Sequence, residues 1–165
     1  MKKVDFHIHT IPTASDASFE FSLDTLQQYV DSANLDAIAI TNHNLFDRHQ
    51  FDLICGDLSI PVLPGIEVDL TRGRVLVISD GTSLAEFASR TQRVSEMIGN
   101  TGHGIPVDDL ATLLGDLHDY LVIPHCDKEP AVRGEILEKL RPYASAGEVD
   151  SPKTFIRAVR DDTKP

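Results

Sequence analysis

The chain has 165 residues, enough for one domain with a sizeable core, and its 41% hydrophobic and 25% charged residues are typical of a globular protein. Its net charge of -11 argues against a broad nucleic-acid-binding surface, and no apolar run approaches the roughly 20 residues of a bilayer-spanning helix. The two cysteines lack CxxC spacing, so neither a disulfide framework nor a zinc finger is indicated. We therefore expect residues 1–165 to form a single domain of a cytoplasmic protein without membrane contact.

The first predicted element is a strand at residues 4–10, where apolar residues alternate with Asp5, His7 and His9. This two-residue period predicts one apolar face and one face with a carboxylate and two imidazoles. Two histidines two positions apart can direct two nitrogen ligands at one metal ion, and the carboxylate behind them can orient a ring. The alternative is a half-buried strand whose histidines are solvated.

Short apolar strands and amphipathic helices then alternate along the chain. We predict further strands at residues 37–40, 60–67, 74–78, 120–123 and 147–149, and helices at 23–33, 46–54, 83–98, 108–117, 133–141 and 151–160. This alternation is typical of βα units around a parallel sheet. In such folds the functional residues gather at the carboxyl ends of the strands.

Four residues of metal-binding type each come directly after an apolar run of a predicted strand: His9, His43, Glu67 and His125. Imidazole and carboxylate ligands suit Zn, Mn or Fe, and the lack of a paired-thiolate motif argues against a structural zinc site. Asp16, in the loop after the first strand, is a further candidate ligand, although an aspartate in a turn is an equally good explanation. The sequence thus predicts a metal centre at one edge of the sheet.

Four segments resemble, in the family's order, the motifs of the PHP (polymerase and histidinol phosphatase) phosphoesterases: residues 5–10 (DFHIHT), 39–44 (AITNHN), 64–67 (PGIE) and 123–125 (IPH). The resemblance implies an α/β fold, a distorted (β/α)7 barrel with two or three divalent ions (Zn, Mn or Fe) at the carboxyl ends of its strands. It makes His7 and His9 ligands of one ion, Glu67 a bridging ligand, and His43 and His125 ligands of neighbouring ions. Asp16 would match the Asp or His of the family's first loop.

Three departures from the family pattern stand out. Asn42 replaces the usual aspartate, Arg74 occupies a position where histidine is common, and a late Asp-x-His motif is missing. Arginine stays protonated and cannot bind a cation. With about six predicted strands instead of seven, either the natural protein continues past Pro165 into the missing strand, which we favour, or the chain is a shortened, inactive relative. The Thr-Asn-His-Asn variant also resembles PHP modules that precede a large ATPase, so a fused or associated ATPase domain is a further expectation.

The predicted function is metal-dependent hydrolysis of a phosphate ester by an activated water, with Arg74 and Lys128 as candidate phosphate contacts. Arg74 could instead pair with an acidic neighbour, and Lys128 could be an ordinary surface cation. The substrate is a small phosphate monoester or a nucleic-acid phosphodiester, and the acidic balance favours the small ester. The main alternative is a degenerate module with a regulatory or interaction role. An amidohydrolase would need a lysine at a later strand end, and none is evident from the sequence.

Overall fold

The computed structural model describes residues 2–13, 16 and 18–149. Its strands are β1 (Val4–Ile8), β2 (Ala37–Ile40), β3 (Val62–Asp69), β4 (Arg74–Ile78), β5 (Leu121–Asp127) and β6 (Glu148–Val149). Its helices are α1 (Leu23–Ala33), α2 (Arg48–Asp57), α3 (Leu84–Thr101), α4 (Val107–Leu114) and α5 (Glu135–Leu140), with a short 3-10 helix at Leu117–Asp119. The helix predicted at residues 151–160 lies outside the described residues. None of the helices in the described ranges is long and apolar enough to cross a bilayer.

Helix ends follow the local sequence in most places. The Ser22 hydroxyl accepts a hydrogen bond from the Thr25 backbone N–H at the start of α1, and Asn34 ends that helix in a left-handed conformation (φ 51°). The start of α4 differs from the prediction by one residue: the helix begins at Val107, directly after Pro106, and Asp108 lies in its first turn. Proline fits there because its fixed φ is compatible with helix entry.

The six strands form one sheet in the order β1 to β6. Neighbouring strands are parallel except that β4 runs antiparallel to both β3 and β5. The prediction of a parallel sheet is therefore wrong for β4. Only residues 70–73 connect β3 to β4, whereas a parallel crossover needs a dozen residues or more.

The turn between β3 and β4 is held tightly. The Leu70 N–H donates to the Gly73 carbonyl at 3.0 Å, and Gly73 has a φ of 86°, which favours glycine. A Cβ at Gly73 would lie 2.6 Å from the backbone nitrogen of Val132, so the turn also packs against the chain after β5. This turn brings the first residue of β4 to the same edge of the sheet as the last residues of β3 and β5.

The sheet curls so that its two edges approach one another. β1 and β6 are the first and last strands in the sheet order, yet His7 Nδ1 and a Glu148 carboxylate oxygen lie 2.8 Å apart. The described part of the chain is thus a mixed α/β fold with a strongly curved, partial barrel. A complete seven-stranded barrel stays a prediction.

The core lies on both faces of this curved sheet. Helices α1 and α2 pack on one half of the outer face, and helices α3 to α5 pack on the other half. The inner face carries a smaller apolar cluster without helix residues, formed by Ala39, Leu76, Ile78 and Ile123 with Phe6, Leu63 and Leu121. This cluster fills one end of the partial barrel.

Along the inner face of the strands, apolar residues give way to polar residues toward the other end of the barrel. Four polar side chains continue the inner-face positions of their strands or of the residues that follow: His43 after β2, Glu67 in β3, Arg74 in β4 and His125 in β5. Apolar side chains therefore occupy one end of the barrel interior, and the candidate site occupies the other.

The strict alternation predicted for the first strand is wrong. Phe6 packs against the inner cluster, whereas Ile8 packs against the outer cluster with α1 and α2. The reason is an irregularity in the pairing of β1 with β2 between Asp5 and Ile8, since such a bulge changes the face to which the following side chains point.

Candidate metal centre

Three overlapping groups of side chains could each hold a metal ion. In each group the potential ligand atoms lie within 4.8 Å of one another. The groups are His7, His9 and Glu67; His9, Asp16 and His43; and His7, His125 and Glu148. The structure thus brings all six predicted ligands together in one place and adds Glu148.

Glu67 lies at the centre of these groups, with 1% of its side chain exposed. One carboxylate oxygen, Oε2, is 2.8 Å from His43 Nδ1, 3.0 Å from His9 Nε2 and 3.3 Å from His7 Nε2. The other, Oε1, is 3.2 Å from His125 Nε2. A single carboxylate therefore lies between four imidazoles from three different parts of the chain, which is the position required of a bridging ligand.

Several of these buried atoms have no hydrogen-bond partner among the described residues: both Glu67 oxygens, His43 Nδ1 and both ring nitrogens of His125. In addition, the Nε2 atoms of His7 and His9 are only 3.0 Å apart. Buried polar atoms in folded proteins nearly always have a partner, so a cluster of exceptions needs an explanation. Nitrogen and carboxylate donors that converge without hydrogen bonds fit divalent transition-metal ions.

The charges in the cluster are strongly coupled. Burial alone would raise the pKa of Glu67, but its contacts with His43, His7 and His9 outweigh burial and hold that pKa well below its usual range. Burial would lower the pKa of His7, but Glu148 and Glu67 outweigh it and raise the pKa to about 9. The lowered pKa of Glu67 favours the carboxylate form, which is the form that a metal ligand must have.

Glu148 is a functional candidate that the sequence prediction missed. It lies on β6, where its carboxylate is 2.8 Å from His7 Nδ1 and 3.1 Å from His125 Nε2. Burial would raise its pKa, but these imidazoles and Lys128 lower it. Glu148 is the first residue of a two-residue strand with no apolar run before it, so the strand-end pattern that identifies the other ligands is absent here.

Asp16 lies on the opposite side of the cluster. Its Oδ1 is 2.7 Å from His9 Nδ1 and 3.4 Å from His43 Nε2, and its Oδ2 accepts hydrogen bonds from the backbone and hydroxyl of Thr13. Burial would raise the pKa of Asp16, but His9 and Thr13 lower it. The contact with His9 orients that ring. A direct bond from Asp16 to an ion stays a prediction.

Asn42 has a structural role that accounts for an amide at this position. It is buried, and its Oδ1 accepts hydrogen bonds from the backbone N–H groups of Thr10 and Ile11 at 2.6 and 3.0 Å. Its Nδ2 donates to the Thr10 hydroxyl at 3.2 Å. Asn42 therefore fixes the chain as it leaves β1, close to the two histidines of the first motif.

Asp5 does not orient a histidine ring, contrary to the prediction. Its Oδ1 accepts a hydrogen bond from the backbone N–H of His7 at 3.0 Å, and its Oδ2 accepts one from the Tyr29 hydroxyl at 2.6 Å. The irregularity in β1 turns Asp5 toward α1 and away from the imidazoles. The rings of His7 and His9 are oriented by Glu148 and Asp16 instead.

The two basic residues singled out from the sequence both lie at the cluster. Arg74 Nε donates to Asp69 Oδ1 at 2.7 Å, and its NH1 is 3.4 Å from His43 Nε2 and 3.9 Å from Glu67 Oε1. The pairing with an acidic neighbour is therefore present, and it does not prevent a phosphate contact.

Lys128 contacts potential ligands directly. Its Nζ is 2.8 Å from Glu148 Oε1 and 2.9 Å from His7 Nδ1. Because Lys128 follows β5, a lysine does stand at a late strand end of the site, and the sequence-based statement that none does is wrong. The lack of such a lysine therefore cannot argue against an amidohydrolase.

Comparison with known protein families gives no match, and no curated protein matches the sequence. One similar solved structure is the crystal structure of a "putative metal-dependent phosphoesterase" from Bifidobacterium adolescentis. The two chains are 12% identical with a TM-score of 0.49, and the alignment covers 98% of this chain and 84% of the other. A likeness at this level carries no inference about function, so the side chains of the site must supply it.

Proposed function

We propose that this chain is a metal-dependent hydrolase of phosphate esters. The observation that carries the proposal is the convergence of four imidazoles on Glu67, whose two buried oxygens, like ring nitrogens of His43 and His125, lack hydrogen bonds. The ions would be held by these residues together with Asp16 and Glu148. Bound divalent ions supply Lewis acidity toward a phosphoryl group and toward an attacking water at neutral pH.

The protein's own groups prepare the site for that chemistry. Glu148 and Asp16 lie against the Nδ1 atoms of His7 and His9, so a proton on each Nδ1 is held by a carboxylate. Metal binding would release the remaining Nε2 protons, and the Nε2 lone pairs, which face Glu67, would then serve as ligands. The charges of Arg74 and Lys128 lie at the two sides of the cluster, where they would stabilise negative charge on phosphoryl oxygens.

The net charge of -11 favours a small phosphate ester over a nucleic-acid phosphodiester, because an acidic surface repels a polyanion. The number and identity of the ions, the cytoplasmic location, and a fused or associated ATPase domain remain predictions from the sequence.

One observation favours a second candidate function, that of a metal-binding or metal-free regulatory module. Arg74 places a permanent positive charge 3.4 Å from His43 Nε2 and 3.9 Å from Glu67 Oε1. A fixed cation at this distance repels a metal ion, so one position of a multi-metal centre would be weakened.

The two candidates differ in metal content and turnover. We expect the purified protein to contain Zn, Mn or Fe by plasma mass spectrometry. With added Mn it should hydrolyse p-nitrophenyl phosphate or bis-p-nitrophenyl phosphate, and a chelator should abolish this activity. His49→Ala is a suitable control because His49 is an exposed histidine in α2, away from the cluster. Bound metal without turnover of either ester would reject the hydrolase and favour the regulatory module.

A further inference from the structure

Asn44 and Asp69 form a rigid pair beside the metal centre. The Asp69 backbone N–H donates to Asn44 Oδ1 at 2.8 Å, and Asn44 Nδ2 donates to Asp69 Oδ2 at 2.6 Å. The Asn44 N–H also donates to the Glu67 carbonyl at 2.7 Å, and the Ser95 hydroxyl donates to the Asn44 carbonyl. Asn44 adopts a left-handed conformation (φ 52°) that asparagine tolerates. Its backbone and its side chain are therefore both fixed to their surroundings.

This pair holds the guanidinium of Arg74. Asp69 Oδ1 accepts the hydrogen bond from Arg74 Nε, so Nε is occupied, whereas neither terminal nitrogen donates a hydrogen bond to Asp69. NH1 points toward His43 and Glu67. The Arg74 side chain is 19% exposed, so it is accessible from solvent.

Asp69 is not a member of any of the three potential metal-binding groups. Ions bound in those groups would therefore leave the anchor of Arg74 in place. Lys128 differs, since both of its contacts are with members of one group. Arg74 is thus a cation that can coexist with bound metal at a fixed position.

We propose that Arg74 binds the terminal phosphoryl group of a phosphate monoester, and that Asp69 and Asn44 are positioning residues for it. The inference rests on the proposed hydrolase function and narrows its substrate class. A planar guanidinium offers two parallel N–H groups to two phosphoryl oxygens. A monoester has three non-bridging oxygens and can present two of them to Arg74 while the third faces the metal centre. A diester has only two in total.

The first experiment measures binding of inorganic phosphate to the Mn-loaded protein by calorimetry. Arg74→Met should weaken phosphate binding by about 10- to 100-fold, the effect of losing a charge-assisted hydrogen bond. The same variant should raise the KM for p-nitrophenyl phosphate more than it lowers kcat. The loss in kcat/KM should be larger for the monoester than for bis-p-nitrophenyl phosphate. Arg72→Met is the matched control because Arg72 is an exposed arginine two residues away.

A double-mutant cycle tests the positioning role. Asp69→Asn should weaken phosphate binding by about 3- to 10-fold in the wild-type background, yet it should have no further effect in the Arg74→Met background. A merely structural role for Asp69 would give losses that add. Arg74→Met leaves the Asp69 carboxylate without its partner, and this variant could fold poorly for that reason. The double variant removes that negative charge as well, so it keeps the test valid in that case.

Two results would overturn the inference. The first is phosphate affinity of Arg74→Met within twofold of wild type. The second is that Arg74→Met binds more metal than the wild type and binds phosphate equally well. Arg74 would then only occupy the place of a metal ion. If the wild type hydrolyses neither ester but binds phosphate through Arg74, the anion site stands and the hydrolase proposal fails.

Discussion

The two sides of the candidate metal centre hold their basic side chains differently. On the side formed by β1, β5 and β6, Lys128 contacts Glu148 and His7, two residues of a potential metal-binding group. On the side formed by β2, β3 and β4, Arg74 is anchored on Asp69, which belongs to no such group. Lys128 therefore neutralises potential ligands directly, whereas Arg74 is held beside the potential ligands.

This difference indicates different roles for two residues of the same charge. An ammonium ion in contact with Glu148 and His7 occupies the space and the charge that a metal ion would use, so metal binding at that group must displace it. The guanidinium of Arg74 need not move. Lys128 is therefore expected to compete with metal, and Arg74 to bind an anion.

The largest effect is expected at Glu67, which both sides share. Glu67→Gln keeps the shape but removes the negative charge that four imidazoles face. We expect metal content to fall on both sides and hydrolysis to drop by at least about 100-fold, since removing even an outer-shell partner costs 10- to 100-fold. Metal analysis and steady-state kinetics test this. Glu86→Gln, an exposed change in α3, is the control. Full metal content in Glu67→Gln would contradict a bridging role.

The next largest effects separate the two sides. Asp16→Ala removes a donor from one group only, and Glu148→Ala removes a donor from another. Each variant should lose about one equivalent of metal after desalting and keep the remainder, because the groups share histidines but not these carboxylates. If either variant loses all of its metal, the centre is one cooperative unit and the comparison of its sides fails.

Lys128→Met tests whether the ammonium competes with metal. We expect the metal dissociation constant to fall by about 10-fold, since removal of a contacting cation favours another positive charge. Chelator competition measures this, and Arg74→Met serves as the comparison because it should lower the constant less, since Arg74 is paired with Asp69 and lies farther from the potential ligands. Weaker metal binding in Lys128→Met would show that the lysine supports the ligands.

The smallest effect is expected at Tyr29, on the outer surface of the β1 side. The Tyr29 hydroxyl donates to Asp5, and this hydrogen bond, with burial and the Asp5 charge, raises the tyrosine pKa to about 12. Because the neutral phenol is the stabilising form, its contribution is complete below the unfolded pKa of about 10 and is lost as pH rises to about 12.

Tyr29→Phe should lower the free energy of unfolding by less than about 1 kcal/mol, since solvent weakens contacts of a phenol that is 43% exposed. Urea unfolding at several pH values checks the size and the trend. The wild type and the variant should differ equally below pH 10 and converge above it. A difference that grows with pH would contradict the assigned hydrogen bond.

Much of the site follows from the sequence because strand ends meet at one edge of a sheet. His43, Glu67 and His125 each follow an apolar run, and the structure places them within a few ångströms of one another. The two-residue period adds that their side chains share the inner face with Ala39 and Ile123. These features need only local pattern and strand direction, which the sequence provides.

The rest depends on information that local patterns lack. Glu148 is on a strand too short to show a period, and its contact with His7 results from the curvature of the whole sheet. The pairing irregularity that redirects Asp5 is set by the neighbouring strand. The sequence does contain one signal for the direction of β4. Four residues between Asp69 and Arg74 are too few for a parallel crossover, so an antiparallel β4 and the contact between these two residues could have been expected.

The position of Arg74 directly after the tight turn at residues 70–73 limits how the length of related sequences can vary. Because side chains alternate between the two faces of a strand, inserting one residue between Arg74 and Val75, with the pairing of β4 kept, would send the Arg74 side chain outward, under the helices. Arg74 would then no longer reach the site, although the arginine is still present in the sequence. Length changes next to this short connection are as informative as amino-acid substitutions when related sequences are compared.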